Sequence, residues 1–184
     1  MSVRIGARDR FLALISRWRL RGRDRLHRLL RGNNASYPIR VRTKHGATLL
    51  LEPGEMIDEQ ILLRGYYEEG VLNAVLHHLP AAGTYWDIGA HLGLHAITVR
   101  QLRPDATVVC FEPSIVNFTR LYRNARLNAV DLRLLNVGLA QERGYARLSL
   151  PGRGNSGLAS FAPWSGVAYE DQLLCRCETG DAII

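Results

Sequence analysis

Long hydrophobic runs and disulfide-forming cysteines are both scarce in this 184-residue sequence. No apolar run approaches the ~20 residues needed to cross a bilayer, and the run at residues 11–15 is too short for a signal-peptide core. Three cysteines do not make a disulfide framework. Cys110 lies inside an apolar run, and Cys175 and Cys177 have no further metal ligands beside them. We therefore expect no metal site and a reducing, cytoplasmic location.

Positive charge is concentrated at the beginning of the chain. Residues 1–32 contain ten arginines and two aspartates, a sum of +8, whereas the whole chain carries +7, so the remainder sums to −1. Residues 9–31 place apolar side chains at helical spacing between arginines, which predicts a basic amphipathic helix. Three roles remain open for this helix. It could pack on the rest of the protein, lie on an anionic inner membrane surface, or bind nucleic acid as an arm. A nucleic-acid surface on the main body is not expected.

Hydrophobic patterning divides the chain into three regions. They are a basic helical segment, a hairpin-plus-helix region and an α/β core, at residues 1–34, 35–80 and 81–184. In the second region, residues 37–52 alternate around a glycine turn, which predicts a hairpin. Residues 58–63 and 68–79 show helical periodicity. The adjacent His77 and His78 point in different directions on such a helix, so a shared metal is not expected.

The most informative motif is the run at residues 84–93, Thr-Tyr-Trp-Asp-Ile-Gly-Ala-His-Leu-Gly. It predicts a short strand that ends at Asp87, a loop with Gly89 and Gly93, and then a helix, which is how α/β sheets present nucleotide-like ligands. A carboxylate beside this loop would repel a phosphate. It favours a positively charged ligand, and S-adenosylmethionine carries an ammonium and a sulfonium but no phosphate.

A second acid follows the next predicted strand. Residues 107–111 form a continuous apolar run, which is typical of a parallel strand buried on both faces, and Glu112-Pro113 follows it. An acid in this position can accept hydrogen bonds from both ribose hydroxyls. The glycine spacing does not match G-x-G-x-x-G, so a nicotinamide-dependent oxidoreductase is disfavoured. The order of strand, Asp87, glycine loop, helix, strand and Glu112 predicts an adenosine-type ligand.

The remaining pattern predicts one more helix and several strands. Ser114 is suited to cap a helix whose buried face we expect to consist of Phe118, Leu121, Tyr122 and Ala125. Strands are predicted at residues 132–137, 145–150, 158–161 and 173–177. Residues 151–157 form a glycine-rich loop, and the absence of a following helix argues against a phosphate cradle.

Several of these segments together resemble the FkbM-type S-adenosylmethionine-dependent methyltransferases. The matching pieces occur in the family's order over roughly residues 60–181, at residues 65–68, 86–93, 111–113, 117–128, 136–139 and 155–157. The resemblance implies a Rossmann-like class I methyltransferase fold, preceded by the basic helix and the hairpin region. It also implies O-methylation of a hydroxyl on a sugar, glycan or small secondary metabolite.

The resemblance assigns a cofactor role to nine positions. Asp87, Gly89, Ala90, His91 and Gly93 would shape the pocket for the methionine end of S-adenosylmethionine. Glu112, with Pro113, would bind the ribose. Leu139 would lie near the adenine, and Glu68 would close over the cofactor.

Catalysis in this family is a displacement at the methyl carbon, which mainly needs alignment of the attacking oxygen. A general base can help to remove the hydroxyl proton, and His91 and His95 are the two candidates for that role. The family's later Lys-x-Asp-x-Glu-Gly-x-Glu motif is missing here. We therefore expect a truncated chain with an incomplete doubly wound sheet, in which the strand bearing Asp87 lies at an edge. The alternative function is an inactive remnant that binds a membrane surface or a partner.

Overall fold

The computed structural model of this protein describes residues 38–52, 54–152 and 154–183. The helix predicted over residues 9–31 lies outside the described residues, as does the whole of segment 1–34. Within the described part, no helix has the length and apolar character required to cross a membrane.

An antiparallel hairpin opens the described chain. Strand β1, Ile39–Arg42, pairs with strand β2, Thr48–Leu51. Side chains alternate between the core and the surface, so Ile39, Val41, Leu49 and Leu51 are buried. The hairpin predicted within residues 37–52 is therefore confirmed.

Two helices follow the hairpin at the predicted places. Helix α1 is Met56–Arg64 and ends at Gly65, whose φ of 79° provides the left-handed conformation of a helix C-cap. Helix α2 is Glu69–His78. Ile61, Leu62 and Leu72 of these helices are buried in the same core as the hairpin.

A parallel three-stranded sheet forms the centre of the molecule. Its strands, in spatial order, are β3 at Thr84–Ile88, β4 at Thr107–Phe111 and β5 at Arg133–Leu135. Helices α3, Leu94–Leu102, and α4, Ile115–Asn128, connect them. Ile88 is paired with Phe111, so the loop after β3 and the residue after β4 meet at one edge of the sheet. Among the described strands, β3 pairs with β4 alone.

A second, mixed sheet follows. Strand β6, Gly138–Leu139, runs parallel to β8, Tyr169–Glu178, and β8 is antiparallel to β7, Gly144–Pro151. The prediction of a strand at residues 158–161 is wrong. Ser156–Leu158 is a short 3-10 helix, and a single bridge between Ser149 and Ser160 replaces a ladder.

Helix α4 buries polar side chains as well as apolar ones. Ser114 caps it by accepting a hydrogen bond from the Asn117 amide at 3.5 Å, which confirms the predicted cap. Leu121 and Ala125 are buried as expected, but Tyr122 is 51% exposed. Arg120 and Asn124 are buried instead of Tyr122. Arg120 pairs with the buried carboxylate of Asp58, and Asn124 hydrogen-bonds backbone groups of Leu50 and Leu92.

Two asparagines one turn apart on α4 bind the open edge of β2. Asn128 accepts from the Thr48 amide at 2.8 Å and donates to the Thr48 carbonyl at 2.6 Å. Asn124 accepts from the Leu50 amide at 2.8 Å and donates to the Leu92 carbonyl at 2.9 Å. Helix α4 therefore joins the hairpin to the loop that follows β3.

Candidate functional site

The loop after β3 is held against the end of β4 by backbone hydrogen bonds. The amides of Gly89 and Ala90 both donate to the Phe111 carbonyl, at 2.8 and 3.0 Å. Gly89 has a φ of 80°, a conformation that favours glycine. The two sequence motifs therefore lie side by side, as their positions after neighbouring parallel strands predicted.

Glu112 is the polar centre of this arrangement. Its two carboxylate oxygens each accept one backbone N–H, from His91 at 2.8 Å and from Ser114 at 2.9 Å. Burial raises its pKa above the ordinary value, while these bonds and the Asn117 side chain act in the opposite direction. An ionised carboxylate has about four lone-pair sites, so Glu112 retains capacity to accept from a ligand beside these three bonds.

His91 has an unusual conformation for a residue with a side chain. Its φ is 50°, in the left-handed region. Its Nε2 lies 2.8 Å from the Ser156 hydroxyl, whereas its buried Nδ1 has no hydrogen-bond partner. Burial lowers the pKa of the imidazole to about 4, assisted by the positive charge of Arg120. The ring is therefore neutral at pH 7.

A cavity of about 250 Å³ opens beside these residues. Five of the predicted site residues line it, namely Glu68, Gly89, His91, Glu112 and Pro113. The other lining residues are Ile57, Tyr67, Asn117, Leu148, Ser156, Gly157 and Ala159. This volume lies just below the range that is typical of ligand sites, about 300–1,000 Å³. Glu68, like His91, has a positive φ, 51°, and such strained residues cluster at binding sites.

Three of the predicted loop residues support the cavity from outside its lining. The Asp87 carboxylate is buried and accepts from the Ala96 amide in α3 at 3.0 Å. Ala90 is buried, and Gly93 begins α3 with a φ of 88°. Through this hydrogen bond Asp87 satisfies one of the amides in the first turn of α3 that have no partner within the helix. Its direct contact with a cofactor stays a prediction.

The two remaining predicted residues lie apart from this cavity. His95 is on α3, with Nδ1 3.3 Å from the Tyr66 hydroxyl, and burial lowers the pKa of its ring. Leu139 is in β6, where it pairs with Glu178. Neither lines the cavity. In the described part of the chain, no group of three His, Cys, Asp or Glu side chains is placed to hold a metal ion.

Sequence reasoning missed the residues that cover the cavity from the second sheet. Ser156 and Gly157 lie in the glycine-rich loop, to which the pattern of residues assigns no site role, and Ser156 contacts His91 directly. The Asn-Ser-Gly motif at residues 155–157 was part of the family resemblance. That resemblance was the available signal, because spacing along the chain gave no reason to place this loop against residue 91.

The chain is similar to one curated methyltransferase over part of its length. It is 36% identical over 110 residues to the release factor glutamine methyltransferase of Neisseria gonorrhoeae (strain ATCC 700825 / FA 1090). The aligned region covers 59% of this chain, and the chain spans 37% of the length of that relative. No protein-family model matches the chain.

This similarity and the described topology confirm the predicted fold class, an α/β fold of the Rossmann-like type. The similarity is to a protein named as a methyltransferase, so that activity is a proposal for this chain. It does not distinguish the FkbM type from other methyltransferases of this class, so that assignment stays a prediction.

Proposed function

We propose that this chain is an S-adenosylmethionine-dependent methyltransferase that binds its cofactor in the cavity between the β3 loop and the second sheet. The observation that carries the proposal is the position of Glu112. This carboxylate lies at the carboxyl end of β4, lines the cavity, and is held by two backbone amides. Such an acid is suited to bind two adjacent ribose hydroxyls. The similarity to a curated methyltransferase supports the same reading.

The residues present fit a nucleoside-like cofactor. A Cβ added to Gly89 would meet no atom within 4 Å, so the loop is open on the side where a ligand would approach its backbone. Glu112 is buried among donors that fix its orientation. Asn117 and Glu68 add polar side chains to the same cavity. Glu112 would hold the ribose, and Gly89 with His91 would contribute backbone beside it.

The finer form of the proposal is an FkbM-type enzyme that methylates a hydroxyl on a sugar, glycan or small secondary metabolite. The cofactor supplies a methyl group on a sulfonium leaving group. The protein then needs to exclude water and align the acceptor oxygen. His91 is not free to act as a base through Nε2, because that nitrogen is engaged by Ser156. A cytoplasmic location and contact of residues 9–31 with the inner membrane surface are part of the same proposal.

Calorimetric titration with S-adenosylhomocysteine tests the proposal. We expect the wild-type chain to bind it and Glu112→Gln to bind about tenfold to a hundredfold more weakly, since hydrogen bonds to a charged acceptor contribute about 1.5–3 kcal/mol. Glu142→Gln is the matched control, because Glu142 is exposed in the turn before β7. NADH is the comparison ligand.

The outcomes separate the competing functions. Wild-type binding that is lost in Glu112→Gln and kept in Glu142→Gln supports the cofactor site. No heat with S-adenosylhomocysteine, or tighter binding of NADH, would overturn it. A separate sedimentation assay with anionic vesicles, on chains with and without residues 1–32, tests the membrane contact independently of the cofactor.

A further inference from the structure

Three side chains from distant parts of the sequence form a hydrogen-bonded chain at the cavity. Glu55 directly precedes α1, Ser156 begins the 3-10 helix, and His91 lies in the β3 loop. Glu55 Oε2 accepts from both the backbone amide and the hydroxyl of Ser156, at 2.9 and 2.7 Å. The Ser156 hydroxyl oxygen lies 2.8 Å from Nε2 of His91.

The direction of these bonds follows from the charge on Glu55. Burial alone would raise its pKa, but the hydrogen bonds from Ser156 and the positive charge of Arg120 leave the pKa below its ordinary value. An ionised carboxylate has no proton to give. Ser156 therefore donates its hydroxyl proton to Glu55, and its oxygen accepts from His91. The neutral imidazole thus carries its proton on Nε2.

The same histidine donates its backbone amide to Glu112. This donation, at 2.8 Å, is made from a left-handed backbone with a φ of 50°. L-residues seldom hold this conformation unless their surroundings fix it. Because Nδ1 has no partner, the bond from Nε2 to Ser156 is the ring's polar anchor in the described structure.

We infer that Glu55 and Ser156 are positioning residues that act through His91 to orient the Glu112 carboxylate in the cavity. The inference rests on the proposed function only for the identity of the ligand that Glu112 receives. The path runs from the Glu55 carboxylate through the Ser156 hydroxyl and the His91 ring to the His91 amide, which holds one oxygen of Glu112.

The loop that carries Ser156 packs closely on the start of α1. A Cβ on Gly157 would lie 2.4 Å from Ile57 Cδ1, so a larger residue at 157 would require the Ile57 side chain to move. The Met56 amide also donates to the Gly154 carbonyl at 2.8 Å. Ser156 is therefore fixed relative to the start of α1, and its contact with His91 fixes the β3 loop in turn.

The test replaces Ser156 and measures the pKa of the Glu112 carboxyl group. In Ser156→Ala, we expect the pKa of Glu112, followed by carbon NMR of its carboxyl, to rise by about one unit. The His91 amide would no longer be held against the carboxylate, and one charge-assisted hydrogen bond has about this effect. Nitrogen NMR of the His91 ring should lose its uniform Nε2–H state. Ser156→Thr retains a hydroxyl and should restore both signals.

Ser160→Ala is the matched control. Ser160 lies in the same loop but donates to the Ala162 carbonyl. It should leave the Glu112 titration unchanged. An unchanged titration in a folded Ser156→Ala, as judged by its thermal unfolding curve, would overturn the positioning role.

Binding of S-adenosylhomocysteine provides the second readout. We expect Ser156→Ala to bind it about tenfold more weakly, and this loss to disappear when Glu112→Gln is already present, because coupled residues are not additive. Equal losses with and without Glu112→Gln would contradict the inference. Absence of binding by the wild type would overturn the proposed function alone, since the NMR titration needs no ligand.

Discussion

Asp87→Asn should make the ligand-free protein more stable at neutral pH. Asp87 is buried, and its carboxylate accepts from the Ala96 amide at 3.0 Å and interacts with the Tyr85 hydroxyl. Burial raises its pKa from 3.8 to about 6, although both hydrogen bonds act to lower it. An asparagine is similar in shape, and its carbonyl oxygen can still accept from Ala96. The substitution therefore removes a buried charge and retains the contact.

The size of the effect follows from proton linkage. The folded state holds a proton on Asp87 that the unfolded state releases near pH 4, so folding of the wild type is favoured below that pH. Stability is lost as the pH rises through the window from about 4 to 6. A shift of about two pKa units corresponds to roughly 3 kcal/mol. Asp87→Asn does not titrate, so it should equal the wild type near pH 4 and exceed it by up to about 3 kcal/mol at pH 8.

Urea denaturation at several pH values between 4 and 8 measures this difference directly. The comparison is made between variant and wild type at each pH, because Asp58 has a pKa that burial raises to about 6 and titrates in the same window. Asp131→Asn is the control, since Asp131 is exposed, and its curve should run parallel to the wild type. A difference for Asp87→Asn that does not grow with pH would refute the reasoning, as would a variant less stable than the wild type at pH 8.

Two further stability predictions concern close packing and buried charge. Gly93→Ala should cost about 3 kcal/mol, because its φ is 88° and the added Cβ would lie 2.5 Å from Leu121 Cδ1. Gly89→Ala, with φ 80° and open space, should cost only about 1 kcal/mol of backbone strain, and equal losses in urea unfolding would contradict this. Arg120→Met should lose about 3–5 kcal/mol at pH 8, because Asp58 would remain as an unpaired buried carboxylate. That loss should shrink at pH 5, where Asp58 takes up a proton, so a pH-independent loss would argue against an ion pair.

The central sheet could be predicted because its signals are local. Residues 107–111 are continuously apolar, and Asp87 and Glu112 each come at or directly after a strand, so their meeting follows from parallel pairing. The buried face of α4 could not be predicted in the same way. Asparagine and arginine are mostly exposed in proteins, and Arg120 and Asn124 are buried only because Asp58 and the edge of β2 lie opposite them.

The cover of the cavity depends on contacts between distant residues. Glu55 is 101 residues from Ser156, and Ser156 is 65 residues from His91. No periodicity links positions so far apart. The prediction of a strand at residues 158–161 was wrong for a related reason. Its apolar residues suit a strand, but Gly157 packs closely against the distant Ile57, and residues 156–158 form a 3-10 helix.

The two asparagines of α4 have a consequence for synthesis on the ribosome. The hairpin needs only local contacts and can form early, but the outer edge of β2 is satisfied by Asn128, which lies 80 residues after Thr48. At about 5–20 residues per second, the ribosome adds these 80 residues in roughly 4–16 s. During that interval the nascent hairpin presents an unpaired edge to neighbouring chains. Protection of this edge therefore waits for the synthesis of α4, and slower translation lengthens the interval.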